Sequence, residues 1–340
     1  MTTPAVAEPD AEPDREPPPR IRARRPGITV TCWLLAGVWL VLALERLVGF
    51  DGGGVWPLVV VPALFPYLTV GALVPVVLCL VTRRWFAALV SIVALAVMAA
   101  LVAPRAFGHP DPVRGPAVQV LTANLAEGHA DPAALVAMVR DHKVDVLATA
   151  ELTDEELQAL NAAGIADLLP YAETNPEPTS GGTGLFSRYP LTDGGRERLI
   201  HNFVDTSATV HVPGAQPVLV TVVHYCAPAD PTQMFCWEYG RSRIPPATPK
   251  GPVRPLLGDF NLTVDYAALR DVLGTGYRDA ASVVGAGLVT TWPYDGTPMP
   301  KVAIDHVLAD GRIGVSAVSA YPIKDSDHRA LAAGLTFPTG

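Results

Sequence analysis

Three long stretches without a charged residue constrain this chain more than any other feature. Residues 28–44, 55–81 and 85–103 contain no Asp, Glu, Lys or Arg and run for 17, 27 and 19 residues. At 1.5 Å per residue each can cross a hydrocarbon core of about 30 Å, the first with the least to spare. A cleavable signal peptide would account for the first stretch alone, but two more follow and no small-residue cleavage site is evident. Three transmembrane helices are expected. The middle stretch holds Pro57, Pro62, Pro66 and Pro75, so a kinked helix, or a broken or re-entrant segment, is expected there. No charge lies inside these cores, which gives no support to a transport pathway.

Orientation follows from the cations. Arg15, Arg20, Arg22, Arg24 and Arg25 precede the first stretch and Arg83 and Arg84 separate the second from the third, whereas residues 45–54 offer only Arg46. The positive-inside rule then puts the N-terminus in the cytoplasm and everything after residue 103 outside, in a multi-pass protein of the cell membrane. Residues 1–27 are rich in Pro, Glu and Asp without an apolar period and are expected to form a disordered cytoplasmic tail. The transmembrane part is placed at 28–103. Residues 104–116, rich in Pro and Gly, read as a linker lifting the following domain off the bilayer.

Residues 104–340 hold 17 Lys and Arg against 26 Asp and Glu, together with all eight histidines. That length supports one substantial core, placed at 117–340. The acidic balance, and the lack of an Arg/Lys-rich stripe with interleaved aromatics, argues against stable nucleic-acid binding, although an enzyme that only visits a phosphodiester need not be basic. Cys32 and Cys79 fall in apolar stretches and read as inert fillers. Cys226 and Cys236 sit where oxidation is available, so they form either a disulfide or two free thiols.

Short apolar runs bounded by polar residues predict strands at 117–123, 144–149, 184–187, 208–212, 218–224, 254–257, 303–308 and 315–320. Asp131-Pro132 is a helix start, with Asp at the N-cap and Pro in the first turn, and a second helix is expected over 265–273. Strands outnumber helices and most are joined by turns, so a mixed two-sheet α/β sandwich fits better than a doubly wound parallel sheet.

Carboxylates, amides and imidazoles recur where these apolar runs end: Asn124, Glu151, His224, Asp259 with Asn261, Asp305, and Asp327 with His328. Each alone has an ordinary explanation as a turn residue, an exposed helix start or a satisfied histidine. Strand ends of a sandwich converge on one rim, however, and the same placement recurs throughout the domain. Gly258-Asp259-Phe260-Asn261 offers an acid and an amide on one side of a strand end, two oxygen ligands for a hard cation or its water. Asp305 follows an apolar residue within a strand, and a buried carboxylate calls for a donor such as a histidine ring N–H.

In this order, with Gly184-Leu185-Phe186-Ser187-Arg188-Tyr189-Pro190 between Glu151 and His224, these residues resemble the endonuclease/exonuclease/phosphatase superfamily, the DNase I-like fold. The resemblance covers about residues 117–336 and implies a four-layer α/β sandwich that cleaves phosphoester bonds with Mg²⁺ or Mn²⁺. It implies Glu151 as principal metal ligand with Asn124 beside it, and Asp327 on metal or its water. Asp259 and Asn261 would position the attacking water and bind the phosphate. His328 would be the base or a phosphate-contacting imidazole oriented by Asp305, and His224 a second donor to the phosphoryl oxygens. One or two metals are both compatible. Ala150 and Lys301 depart from residues common in the family, but neither is a ligand position.

Three preceding spans with an outward catalytic domain also resemble actinobacterial membrane proteins of the VanJ teicoplanin-resistance type. That likeness implies a phosphohydrolase or phosphodiesterase acting on a lipid-linked or cell-envelope phosphate. The alternatives are a cell-surface nuclease and a catalytically inactive envelope module, the latter disfavoured because no site residue is missing. Residues 235–250 match no motif and read either as a wall of the substrate entrance or as a surface loop closed by the cysteine pair.

Overall fold

The computed structural model describes residues 26–340, so the expected disordered tail falls almost wholly outside the described residues. Three helical stretches, Pro26–Val48, Leu58–Val81 and Trp85–Ala106, are long and apolar enough to cross a membrane. The first is one continuous helix, α1 (Pro26–Val48). The middle one is broken: 3-10 turns at Leu58–Val60 and Pro62–Leu64 precede α2 (Phe65–Gly71) and α3 (Leu73–Val81). Each proline removes a donor and crowds the preceding turn, so the prolines favour this broken form. A third helix, α4 (Trp85–Val102), packs against α1 and α3. Small side chains, Ala36, Ala43, Ala72, Ala87, Ala88 and Ala94, fill the contacts, whereas Leu34, Val41, Val77 and Phe86 point outward.

After these helices come two six-stranded sheets. The first sheet contains β1 (Ala117–Asn124), β2 (Val146–Ala150), β3 (Tyr171–Asn175), β4 (Thr183–Ser187), β11 (Gly314–Pro322) and β12 (Arg329–Thr336), in the order β11-β12-β1-β2-β4-β3. The second contains β5 (Leu191–Arg198), β6 (Val204–Val210), β7 (Val218–His224), β8 (Leu256–Asp259), β9 (Tyr277–Asp279) and β10 (Asp305–Asp310), in the order β5-β6-β7-β8-β10-β9. Val118, Val120, Val146 and Leu335 of one sheet meet Val220, Val222, Leu257 and Val307 of the other in a shared core. The outer face of the first sheet is covered by helices Pro132–Asp141 and Asp154–Ala162, that of the second by Met234–Arg241 and Ala267–Gly274. This is the expected α/β sandwich, in four layers. Asp131 caps its helix as expected, accepting from Ala134 N at 3.0 Å.

Each sheet has one parallel pair at its centre, β1 with β2 and β7 with β8; all other pairs are antiparallel. The C-terminal ends of the parallel strands share a rim with the N-terminal ends of β10 and β12. This brings distant segments to one place: Asn124 pairs in register with Ala150, His224 with Asp259, and Asp259 with Asp305.

Residues 104–116 do not lift the domain away from the helices, as their Pro and Gly content suggested. Arg105 is buried and donates to Asp265 at 2.8 and 2.6 Å, and Asp111 takes Arg278 at 2.7 Å and Val315 N at 3.0 Å. Arg46, at the end of α1, reaches the same Asp265 at 2.9 Å. Asp51 accepts from Ala267 N at 2.8 Å and Ala268 N at 3.3 Å, at the start of the helix Ala267–Gly274. Between Asp51 and the middle stretch, Gly52 has φ +70°, and a Cβ there would lie 2.4 Å from Val59 N, so only glycine makes this turn. Val59 is fully buried in the core beneath the second sheet, and its carbonyl accepts from Tyr266 Oη at 2.7 Å. Charges that look like isolated polar punctuation in the sequence are therefore the bolts of an interface between helices and domain.

Candidate active site

The rim gathers all the residues singled out from the sequence. Asn124 Nδ2 donates to Glu151 Oε1 at 3.0 Å and to Asp259 Oδ2 at 3.1 Å, tying the two sheets together. Its own Oδ1 accepts from Ala126 N at 2.9 Å, which fixes the amide. Glu151 Oε2 accepts from Glu127 N at 2.7 Å. Glu151 leaves β2 with φ +59°, a left-handed conformation unfavourable for its side chain, and Asn261 leaves β8 with φ +48°, which asparagine tolerates.

Asp305 Oδ2 lies 2.9 Å from His328 Nδ1. A carboxylate takes the Nδ1 proton, so His328 Nε2 is directed toward Asp259 Oδ2, 3.8 Å away. Burial alone would lower the His328 pKa, but the adjacent Asp305, with Asp259 and Asp327 beyond, raises it to about 10, and the ring is an imidazolium at neutral pH. Burial and the neighbouring Asp305 push Asp259 up to about 6. Ser180 O accepts the Nδ1 proton of His224 at 2.8 Å, leaving its Nε2 at 3.6 Å from Glu151 and 3.7 Å from Asp259. Burial lowers the pKa of this second imidazole, with Asp259 opposing. Asn261 is held by its Nδ2 bond to Tyr225 O at 2.7 Å, and its N–H donates to Asp259 at 2.9 Å.

Asp327 Oδ2 accepts from Trp292 Nε1 at 2.8 Å, and Ser326 joins Asn124 O at 2.9 Å to His328 N at 3.0 Å. Trp292, Ser180 and Glu127 carry no signal in the sequence, whereas Ser326 stands out there only as the start of the string Ser326-Asp327-His328. His306, in the same string as Asp305, faces the other way: its ring contacts Asp279 at 3.2 Å and Leu262 O at 2.9 Å, and it is structural. Successive side chains of a strand point to opposite faces, which separates the two. Cys226 and Cys236 are joined in a disulfide with Cα atoms 5.8 Å apart.

The donor set suits a hard divalent cation. Four carboxylates, of Glu151, Asp259, Asp305 and Asp327, face two imidazoles, so negative charge is in excess even with both rings protonated. Burial raises the Glu151 pKa, with Asn124 and His328 opposing. Ligand atoms of Asp259, Asp305 and His328 lie within 4.8 Å of one another, but the ring proton on Asp305 binds that trio internally. The oxygens of Glu151 and Asp327 instead border open space, and hard cations prefer such ligands.

Two cavities meet at Glu151 and Asp327. One, of about 780 Å³, is an open polar cleft bordered by Glu127, His129, Asp295 and Asp325. The other, of about 430 Å³, also borders Asp259, Asn261 and His328, then runs between Pro228, Met299 and Ile304 to Val60, Ala63 and Leu64 of the middle helical stretch. Its lining away from the rim is mostly apolar. The site is thus polar on one side and greasy on the other.

The sequence model of the endonuclease/exonuclease/phosphatase family matches residues 121–328, a span that runs from β1 to His328. No curated protein sequence matches the chain. Among solved structures, an endonuclease/exonuclease/phosphatase from Beutenbergia cavernae is similar at 16% identity, with a TM-score of 0.51 over 65% of this chain and 72% of that one. TDP2 of D. rerio, complexed with a single-strand DNA product, is 15% identical, with a TM-score of 0.51 over 64% of this chain and 98% of that one. TDP2 from C. elegans, in truncated form, is 17% identical, with a TM-score of 0.50 over 66% and 100% of the two chains. At these identities the likeness is one of fold.

Proposed function

Because the chain belongs to the endonuclease/exonuclease/phosphatase family, whose members are phosphoric ester hydrolases, we propose that it is a membrane-anchored, divalent-metal-dependent phosphohydrolase or phosphodiesterase. Its substrate is a lipid-linked or cell-envelope phosphate, and its catalytic domain faces outward. The observation that carries the lipid assignment is the junction of a polar cleft and an apolar cavity at Glu151 and Asp327. A phosphate ester with one polar and one apolar substituent suits both. The three apolar helices and the cation distribution described above support membrane anchoring and an outward domain.

Glu151, with Asn124 beside it, and Asp327 would hold Mg²⁺ or Mn²⁺. Such a cation would supply charge neutralisation and polarisation of the phosphoryl oxygens. Asp259, raised to about 6, is matched to accept a proton from the attacking water near neutral pH, and Asn261 fixes that carboxylate through its N–H. Nε2 of the His328 imidazolium donates to a phosphoryl oxygen, with Asp305 holding the ring, and His224 is a second donor on the other flank.

The full chain in lipid nanodiscs, given polyprenyl phosphates and diphosphates, glycerophospholipids and single-stranded DNA, tests this reading. Mg²⁺- or Mn²⁺-dependent cleavage of a lipid phosphate is expected. Full activity in excess EDTA, or cleavage of DNA alone, would overturn it. Protease added to intact cells should remove the domain after residue 103; protection would reverse the topology.

A further inference from the structure

Resting on the lipid-phosphate reading, we propose that the N-terminal turns of the middle apolar stretch form part of the active site. Val60, Ala63 and Leu64 make the far wall of a groove that seats the hydrocarbon chain of the substrate while its phosphate lies at Glu151 and His328. The membrane part then selects the substrate as well as anchoring the domain.

Four observations carry this. The groove is continuous with the catalytic rim, since Glu151, Asp259, Asn261, Asp327 and His328 border the same cavity as Val60, Ala63 and Leu64. Its volume of about 430 Å³ falls within the range of about 300–1,000 Å³ that small-molecule sites occupy. Its walls are pinned by hydrogen bonds: Tyr266 Oη to Val59 O at 2.7 Å on one side, Tyr67 Oη to Lys301 O at 2.7 Å on the other. The second bond ties the Met299 loop to α2. Finally, the wall residues belong to a stretch hydrophobic enough to lie in a bilayer, and Met299, which lines the same cavity, is half exposed. A lipid can therefore pass sideways from the membrane with its chain desolvated throughout, which favours a hydrocarbon chain over any soluble occupant.

A chain that moves from bilayer to groove exchanges one apolar environment for another, so a chain-length preference beyond partitioning into the nanodisc reports packing against Val60, Ala63 and Leu64. The test uses the full chain in phosphatidylcholine nanodiscs with alkylphosphonates, which bind without turnover. A hexadecylphosphonate carrying a diazirine near the chain end should label the peptide containing Val60 to Leu64 or that containing Met299. Ala63→Trp, which fills the groove, should cut the preference for hexadecyl- over butylphosphonate at least tenfold, whereas Val77→Trp, on an outward face of α3, should leave it unchanged. Should Ala63→Trp fail to fold, the photolabel on the unaltered protein and Leu64→Ala still decide. Label confined to outward residues such as Leu34 or Val41, with an unshifted chain-length preference, would overturn the groove while hydrolysis of lipid phosphates by the parent left the lipid reading standing. A parent that cleaves no lipid phosphate would sink both.

Discussion

Asp305 and His328, from the start of β10 and the residue before β12, meet at 2.9 Å, and the second oxygen of Asp305 is buried without a hydrogen-bond partner among the described residues. The pair fixes the ring orientation and keeps the imidazole charged. Asp305→Asn preserves shape but removes the charge, and the amide competes for the wrong tautomer. By analogy with other carboxylate-oriented histidines, kcat should fall roughly a hundred- to ten-thousand-fold with the fold intact. Circular dichroism alongside initial rates checks this; a variant within a factor of a few of the parent would remove His328 orientation from the mechanism.

Glu151 separates function from stability in one position. Glu151→Ala and Glu151→Gly should both lose activity by at least about a hundredfold and lose Mn²⁺ binding measured by titration calorimetry. Their stabilities should differ, because φ +59° strains alanine but not glycine. Thermal unfolding should place the glycine variant above the alanine variant by about 1 kcal/mol. Equal stabilities would mean that the backbone relaxes once the carboxylate is gone.

Much of this site was legible because each functional residue ends an apolar run, and a sandwich must bring strand ends together. Residues such as Trp292 and Val60 were not, because they acquire a role only when the loop before β10 and the middle helical stretch are folded against the rim. Among the strands, β12 was missed: Arg329–Thr336 is built largely from small residues and buried on both faces, so its sequence shows no period of two. The edge strand β5 was missed for the opposite reason, since Leu191–Arg198 is polar and mostly exposed. The composition of residues 104–116 misled because Pro and Gly report local stiffness and freedom, whereas Arg105 and Asp111 anchor the segment through partners more than 150 residues away.

Stability should depend on pH through Asp205. Burial pushes its carboxyl up to about 8 from 3.8, and its one hydrogen-bonded oxygen accepts from Tyr225 Oη at 3.2 Å. The folded state then holds a proton that the unfolded chain releases, so this group favours folding at low pH and loses that contribution as pH rises from about 4 to 8. Asp205→Asn mimics the protonated acid at every pH. Unfolding midpoints measured from pH 5 to 8 should diverge in favour of the variant, by up to a few kcal/mol. Parallel curves would show that Asp205 is ionised in the native protein.

Asp265 should be the residue on which the docking of the domain depends. Its buried carboxylate takes Arg46 from the end of α1 and Arg105 from the end of the third apolar stretch, and no other carboxylate is paired with either guanidinium among the described residues. Removing it leaves two buried cations without compensation, a loss of about 3–5 kcal/mol where one partner of such a pair is deleted. Because Arg46 and Arg105 lie at the junction rather than inside the sandwich, Asp265→Ala should loosen the interface before it unfolds the sheets. Trypsin should then cut after Arg105 or Arg114 in nanodisc-embedded protein much faster than in the parent, while activity on a short soluble phosphoester declines less than activity on a long-chain lipid phosphate. Unchanged cleavage at both arginines would show that the remaining contacts, Asp51 at Ala267 and Val59 at Tyr266, hold the domain in place by themselves.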